Sequence, residues 1–307
     1  MNFRTIPPYM LFAGFGILAF VGIVSVLSPS TSMPTDAVVV ASSTPVTLLV
    51  QPLLKDLPDP AQLIPPGQEL HDFQPAPSAI GLTQGASLVI GIGGSDVTWL
   101  PELLSTIDPV PATLFLTSTL QRQGQSLLEE EEHGEIGVDP HVWLSPKLVL
   151  TVLPAVADAL IAAHPTKRLT IERNADQFTT QLQQLDSDIT STLAAVPQHR
   201  FISFHNAFSY FARDYGLEQV AVIEEVPGEA PTPGDIAAIQ DAIRTYKLRG
   251  LFVEPQFSSA LVEQLSSDQQ ITVETLDPLE TAATTDTYIG MMRQNLAALV
   301  RVLGASQ

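Results

Sequence analysis

This sequence predicts two α/β lobes, each with a mainly parallel sheet flanked by helices, joined by one long rigid helix. Three observations carry that prediction. Short apolar, β-branched runs alternate with helical segments from residue 37 to the C-terminus, the signature of a parallel sheet with crossover helices. The alternation is interrupted by one apolar stripe, Ile171, Ala175, Phe178, Leu182, Leu185, Ile189, Leu193 and Val196, at spacings of three and four. A helix of that extent spans roughly 40 Å at about 1.5 Å per residue, enough to run along two lobes. The chain of 307 residues is 45% hydrophobic and only 15% charged, which suits two globular units with sizeable cores. The expected organisation is 1–36 as signal or anchor segment and linker, 37–164 as the N-terminal lobe, 165–197 as the linking helix and 198–307 as the C-terminal lobe.

Taken in order, residues 10–27 are apolar or glycine apart from Ser25, and a Ser/Pro-rich linker follows at 28–35. That run has the length of a signal-peptide core or a membrane tether, so the remainder is expected in a periplasmic or other extracytoplasmic setting, secreted or anchored. The β-branched run at 37–41 reads as a buried strand. A helix at 46–54, a strand at 62–64, a proline-stiffened loop at 65–77 centred on His71, a short helix at 78–83, a strand at 87–92 and a helix at 96–105 follow. Gly93-Gly94 reads as a tight turn, because neither a full dinucleotide fingerprint nor a P-loop lysine accompanies it. The acidic run at 128–135, which includes His133, reads as a solvated loop. Pro140 biases Asp139 toward extended backbone. Ser145 and Pro146 read as N-cap and first helical residue of a helix reaching 163. In the second lobe, strands at 200–204, 220–223, 250–253 and 272–276 alternate with helices at 206–215, closed by Gly216, and at 231–247, 258–267 and 285–303.

Composition excludes several function classes. Fourteen basic against 33 acidic residues give a net charge of −19, which repels nucleic-acid phosphates. The absence of cysteine removes disulfides, thiolate metal sites and a cysteine nucleophile. A metal site must then be built from His, Asp and Glu. No His-Glu-x-x-His helix occurs, so no catalytic residues are assigned and a binding protein is expected rather than a zinc hydrolase.

His141, held between the Pro140 turn and the helix start at Ser145, is either a structural side chain or a ligand. In open parallel sheets ligands bind beyond the C-terminal strand ends, and His205, Glu254 and Asp277 stand at such ends. His71 and His141 lie in loops of the first lobe. If the lobes face each other across a cleft, His71, His141, His205 and Asp277 can converge there as four N/O cation ligands; spacing leaves this open. Glu254 reads as structural, Tyr210 and Phe211 as packing, and His164 and His199 as unconnected with a metal.

The motifs themselves carry a resemblance. Asp139-Pro140-His141-Val142-Trp143-Leu144, the strand-end His205 with Asn206-Ala207-Phe208-Ser209-Tyr210-Phe211, Phe252-Val253-Glu254-Pro255-Gln256, Leu276-Asp277-Pro278-Leu279 and the loop 67–77 resemble, in order, the solute-binding proteins of zinc and manganese ABC importers (cluster A-I). The resemblance runs from about residue 37 to the C-terminus. It implies a monomeric carrier with His71, His141, His205 and Asp277 as metal ligands, working with a membrane permease and its ATPase. Three imidazoles suit Zn2+ better than Mn2+, so the zinc branch is implied, with a manganese carrier or adhesin of the same fold as the alternative. The chain departs from the pattern at Asn206 and Ser145, where the family commonly has aspartate.

Overall fold

A computed structural model of the chain describes residues 38–68, 70, 73–94, 98–132, 135–224, 230–256, 260–282 and 286–304. The apolar segment at 10–27, His71 and His133 lie outside the described residues. Residues Asp36–Gln307 form one compact unit.

The first lobe is built on a parallel sheet of β1 (Val39–Ala41), β2 (Ala61–Gln62), β3 (Leu88–Gly91) and β4 (Ala112–Phe115), in the order β2-β1-β3-β4. Every residue of β1 and β3 is buried, which accounts for their unbroken apolar character as central strands covered on both faces. Helices α1 (Thr44–Val50), α2 (Pro77–Gln84), α3 (Trp99–Ser105) and α4 (Leu116–Arg122) belong to this lobe. Neither β4 nor α4 is marked in the sequence. Phe115 ends the strand and also caps the helix, so no Gly, Pro or Asn punctuates the change, and the β4 edge is half exposed rather than apolar.

The acidic run corrects the solvated-loop expectation. It folds as an antiparallel hairpin of β5 (Glu129–Glu132) and β6 (Glu135–Val138). Helix α5 (Pro146–Ala163) starts as expected, with the Ser145 hydroxyl accepting the Leu148 N–H at 3.3 Å. With a mean hydropathy of 1.7 it is long and apolar enough to cross a membrane, but half of it is buried inside the protein, against α4 and the next helix, α6 (Arg168–Leu193).

A short 3-10 turn, Pro165–Lys167, precedes α6. This 26-residue helix buries Ile171, Phe178, Leu182, Leu185, Ile189 and Leu193 along one face, the stripe read from the sequence. The second lobe contains β7 (Arg200–Ser203) paired with β8 (Glu218–Val222), and β9 (Gly250–Val253) paired with β10 (Thr272–Thr275), all parallel, with β7 beside β9. Its helices are α7 (Ser209–Tyr215), α8 (Pro233–Tyr246), α9 (Ala260–Gln269) and α10 (Tyr288–Leu303). Gly216 closes α7 at φ +70°, the left-handed cap that glycine allows. Thr232 and Asp235 form a capping box on α8. One apolar core runs from Val40 of β1 through α5 and α6 to Leu303 of α10, and a smaller one, including Ile202, Ile239 and Leu251, fills the second lobe.

Candidate metal centre

His141 and His205 meet across the lobes. Their Nε2 atoms are 3.3 Å apart, and the residues are 1% and 2% exposed. His141 leads into a 3-10 turn, Val142–Leu144, directly after the Asp139-Pro140 bend. His205 follows β7 in extended backbone, at the strand end where a parallel sheet presents its ligands.

Each ring is held from behind by an acid. The Nδ1 atom of His141 lies 2.9 Å from Asp139 Oδ1, which also accepts the His141 backbone N–H at 2.9 Å. The Nδ1 atom of His205 is hydrogen-bonded to Glu254 Oε1. An ionised carboxylate only accepts, so each Nδ1 carries the proton and each Nε2 directs a lone pair at the space between the rings. Two nitrogens each about 2.0–2.1 Å from a tetrahedral zinc lie about 3.3–3.4 Å apart, the separation found here. Carboxylates behind both imidazoles are the usual outer support of metal-bound histidines.

Several side chains fix this arrangement. The Tyr210 hydroxyl donates to the Asp139 carbonyl at 2.9 Å and accepts the Leu128 N–H at 3.1 Å, so it ties the hairpin to the His141 bend and does more than pack. Burial first, and the neighbouring Asp139 charge second, raise its pKa well above the ordinary phenol value, which keeps it a donor. Gly94, at φ +121°, brings the turn after β3 onto Pro140; a Cβ there would sit 2.8 Å from the Val138 carbonyl. Glu130, from β5, places Oε2 4.0 Å from His141 Nδ1. With Asp139 and His141 it offers donor atoms within 4.8 Å of one another, and both acids approach Nδ1 of His141, whereas His205 faces its Nε2.

Asp277 lies half-buried just beyond β10. Its Oδ1 accepts the Leu279 N–H at 2.7 Å and its Oδ2 accepts the Thr281 hydroxyl, so the carboxylate braces its own turn. Burial first, then the nearby Glu254 charge, raise its pKa above the ordinary aspartate value, against the lowering effect of those hydrogen bonds. Glu280 in the same turn buries both carboxylate oxygens. Sequence reasoning passed over it because Asp277 is the strand-end residue. Glu254, expected to be structural, is hydrogen-bonded to His205 Nδ1.

A two-lobed α/β protein with paired, acid-backed histidines between its lobes has the form of a metal-binding protein, and comparison with known proteins gives the family. The model of the family described as ZnuA, zinc-uptake complex component A periplasmic, matches residues 39–302, and the chain belongs to that family. It is 34% identical over 254 residues to the zinc-binding lipoprotein AdcA of Streptococcus pneumoniae strain R6, covering 77% of this chain and 50% of the relative. It is 28% identical to the high-affinity zinc uptake system protein ZnuA of Bacillus subtilis, covering 95% of both. The chain thus spans about half the length of the curated AdcA relatives it matches. Its fold superposes on the Zn(II)-bound ZnuA-like domain of S. pneumoniae AdcA with a TM-score of 0.75 at 30% identity, covering 88% of this chain and all of that one. A zinc-bound ZnuA deletion mutant superposes with a TM-score of 0.76 at 27% identity, covering 89% of this chain and all of that one.

Proposed function

We propose that this protein captures Zn2+ outside the cytoplasm between its lobes and delivers it to an ABC-type importer, a membrane permease driven by its ATPase, without chemistry on the cargo. The observation that carries the reading is the His141–His205 Nε2 separation of 3.3 Å with an acid behind each ring. Two neutral imidazoles aimed at one point suit zinc, whereas manganese favours oxygen donors. The names of the relatives support the same cargo. His71, which precedes α2 in the sequence, is the proposed third imidazole, and Asp277 is the expected fourth donor. Because Asp277 already braces its turn, Glu280 is its competitor for that role.

Competitive titration against a zinc-chelating indicator tests the site. His205→Ala should weaken binding by orders of magnitude; unchanged affinity removes His205 from the site. Asp277→Asn and Glu280→Gln, titrated side by side, identify the acid as the variant with the larger loss. Loading with equal zinc and manganese, read by elemental analysis, should return zinc. A preference for manganese would replace the cargo and keep the carrier.

A further inference from the structure

We propose that the buried turn at 277–281 sets the metal geometry across the two lobes, with Trp143 and Asn295 as its positioning residues, a role that rests on the zinc reading above. Asn295 of α10 is almost fully buried and bonds both backbone groups of Asp277: its Oδ1 accepts the Asp277 N–H at 2.9 Å and its Nδ2 donates to the Asp277 carbonyl at 2.7 Å. β10 ends at Thr275, so a side-chain amide here supplies the paired bonds that a neighbouring strand would otherwise give.

Trp143 holds the turn from the other lobe. Its Nε1–H donates to the Pro278 carbonyl at 2.7 Å, and its ring, fully buried, lies 5.1 Å from the His141 ring between centroids. A third tether comes from Gly67, four residues before His71 in the sequence, whose N–H donates to the Glu280 carbonyl at 2.8 Å.

The turn itself is strained. Leu279, fully buried, has φ +71°, a backbone region that a bulky side chain adopts only when its surroundings over-determine it. The Asp277 carboxylate and the three tethers do so. None of the tethers uses a proposed ligand atom, yet the Trp143 bond joins the segment bearing His141 to the turn bearing the acid. Positions of ligands on opposite lobes are therefore referred to one short turn. Supports of this kind typically change metal affinity about ten- to a hundredfold when removed.

The test compares Trp143→Phe, which removes the indole N–H and keeps an aromatic ring, with Asn295→Leu, in the full chain. Zinc affinity is read by chelator competition, and unfolding temperature is read with and without zinc. Asn174→Leu is the control: Asn174 is an equally buried asparagine on α6 whose amide donates to the Leu53 and Lys55 carbonyls at 3.1 and 2.9 Å. Both turn variants should bind zinc about tenfold or more weakly, with a smaller zinc-induced rise in unfolding temperature. Asn174→Leu should lower the metal-free unfolding temperature and leave affinity and the zinc-induced rise unchanged. Wild-type zinc affinity in Trp143→Phe and Asn295→Leu, whatever their stability, would overturn the proposal. If His205→Ala alone loses zinc, the zinc reading stands and the turn's role falls; if His205→Ala also keeps wild-type affinity, the zinc reading falls and takes the turn's role with it.

Discussion

Glu254→Gln separates the orientation of an imidazole from its basicity. Glu254 and His205 are each 2% exposed; one carboxylate oxygen accepts from His205 Nδ1 and the other from the Gln256 amide at 3.1 Å. An amide at 254 keeps an oxygen for the His205 bond. Its NH2 would then face Gln256, whose own buried Oε1 has no hydrogen-bond partner among the described residues, so turning that amide over supplies an acceptor. Geometry survives and the negative charge behind the ring is lost. Removing such an outer partner costs about ten- to a hundredfold in metal affinity, or about 1.4–2.8 kcal/mol at ~1.4 kcal/mol per decade. The metal-free protein should respond differently. A carboxylate buried against a neutral imidazole lacks a full counter-charge, so the unfolding temperature without zinc should stay level or rise. Chelator competition gives the affinity, and thermal unfolding with and without zinc gives the shrinking increment. Wild-type affinity in Glu254→Gln would refute the tuning of His205 by this acid. A fall in metal-free stability that accounts for the whole affinity loss would reduce Glu254 to scaffold.

Gly94→Ala should lower the unfolding temperature and weaken zinc binding together. A Cβ at φ +121° meets the Val138 carbonyl at 2.8 Å and Pro140 at 3.1 Å, strain of about 1–3 kcal/mol, and a wild-type melting curve would show that the turn yields freely. The acids near β10 should titrate with opposite signs. Hydrogen bonds from Arg301 depress the Glu274 pKa, so its stabilisation is present above the unfolded value and lost as pH falls through the folded one; Glu274→Gln should therefore match wild type only at the acidic end of a stability profile. The Asp277 pKa is raised, so its contribution is full below the unfolded value and lost as pH rises through the folded one, and Asp277→Asn should remove that decline from the metal-free profile. Small-angle scattering with and without zinc should superimpose, and a lobe-scale change would contradict a fixed lobe interface.

Much of this was legible in sequence because it depends on local chemistry. Gly216, Ser145 and the α6 stripe act through their own turn or face, and the structure places them as read. His141 and His205 were legible as candidates because each sits where a bend or a strand end presents a side chain. The acids were harder. Asp139 is two residues from His141; its motif carries the family resemblance and Pro140 predicts extended backbone there, but neither says that the carboxylate turns back onto the ring. Glu254 is 49 residues from His205, and their meeting depends on β9 lying beside β7, an adjacency that no local pattern encodes. Glu130 is one of four consecutive glutamates, which composition cannot tell apart; the alternation of the hairpin turns it toward His141.

The two halves of the centre are supported differently. The His141 half is local, with ring and carboxylate from one bend that Gly94 and Tyr210 brace. The His205 half is assembled from two strands of the second lobe. The turn at 277–281 works over an apolar contact that keeps the lobes together, where Tyr288 of α10 packs edge-on against Phe178 of α6 at 6.1 Å and donates its hydroxyl to the Trp143 carbonyl at 2.8 Å. Burying one large aromatic ring removes about 150–250 Å2 from water, so at about 25 cal/mol per Å2 exposing it again costs roughly 4–6 kcal/mol. Parting the lobes would expose Trp143 and Tyr288 together, a cost that rivals the stability of a typical domain. Zinc affinity is therefore expected to depend on loops already held in place over a shared core, and a substitution that loosens those loops should reach the site before one that merely thins the core.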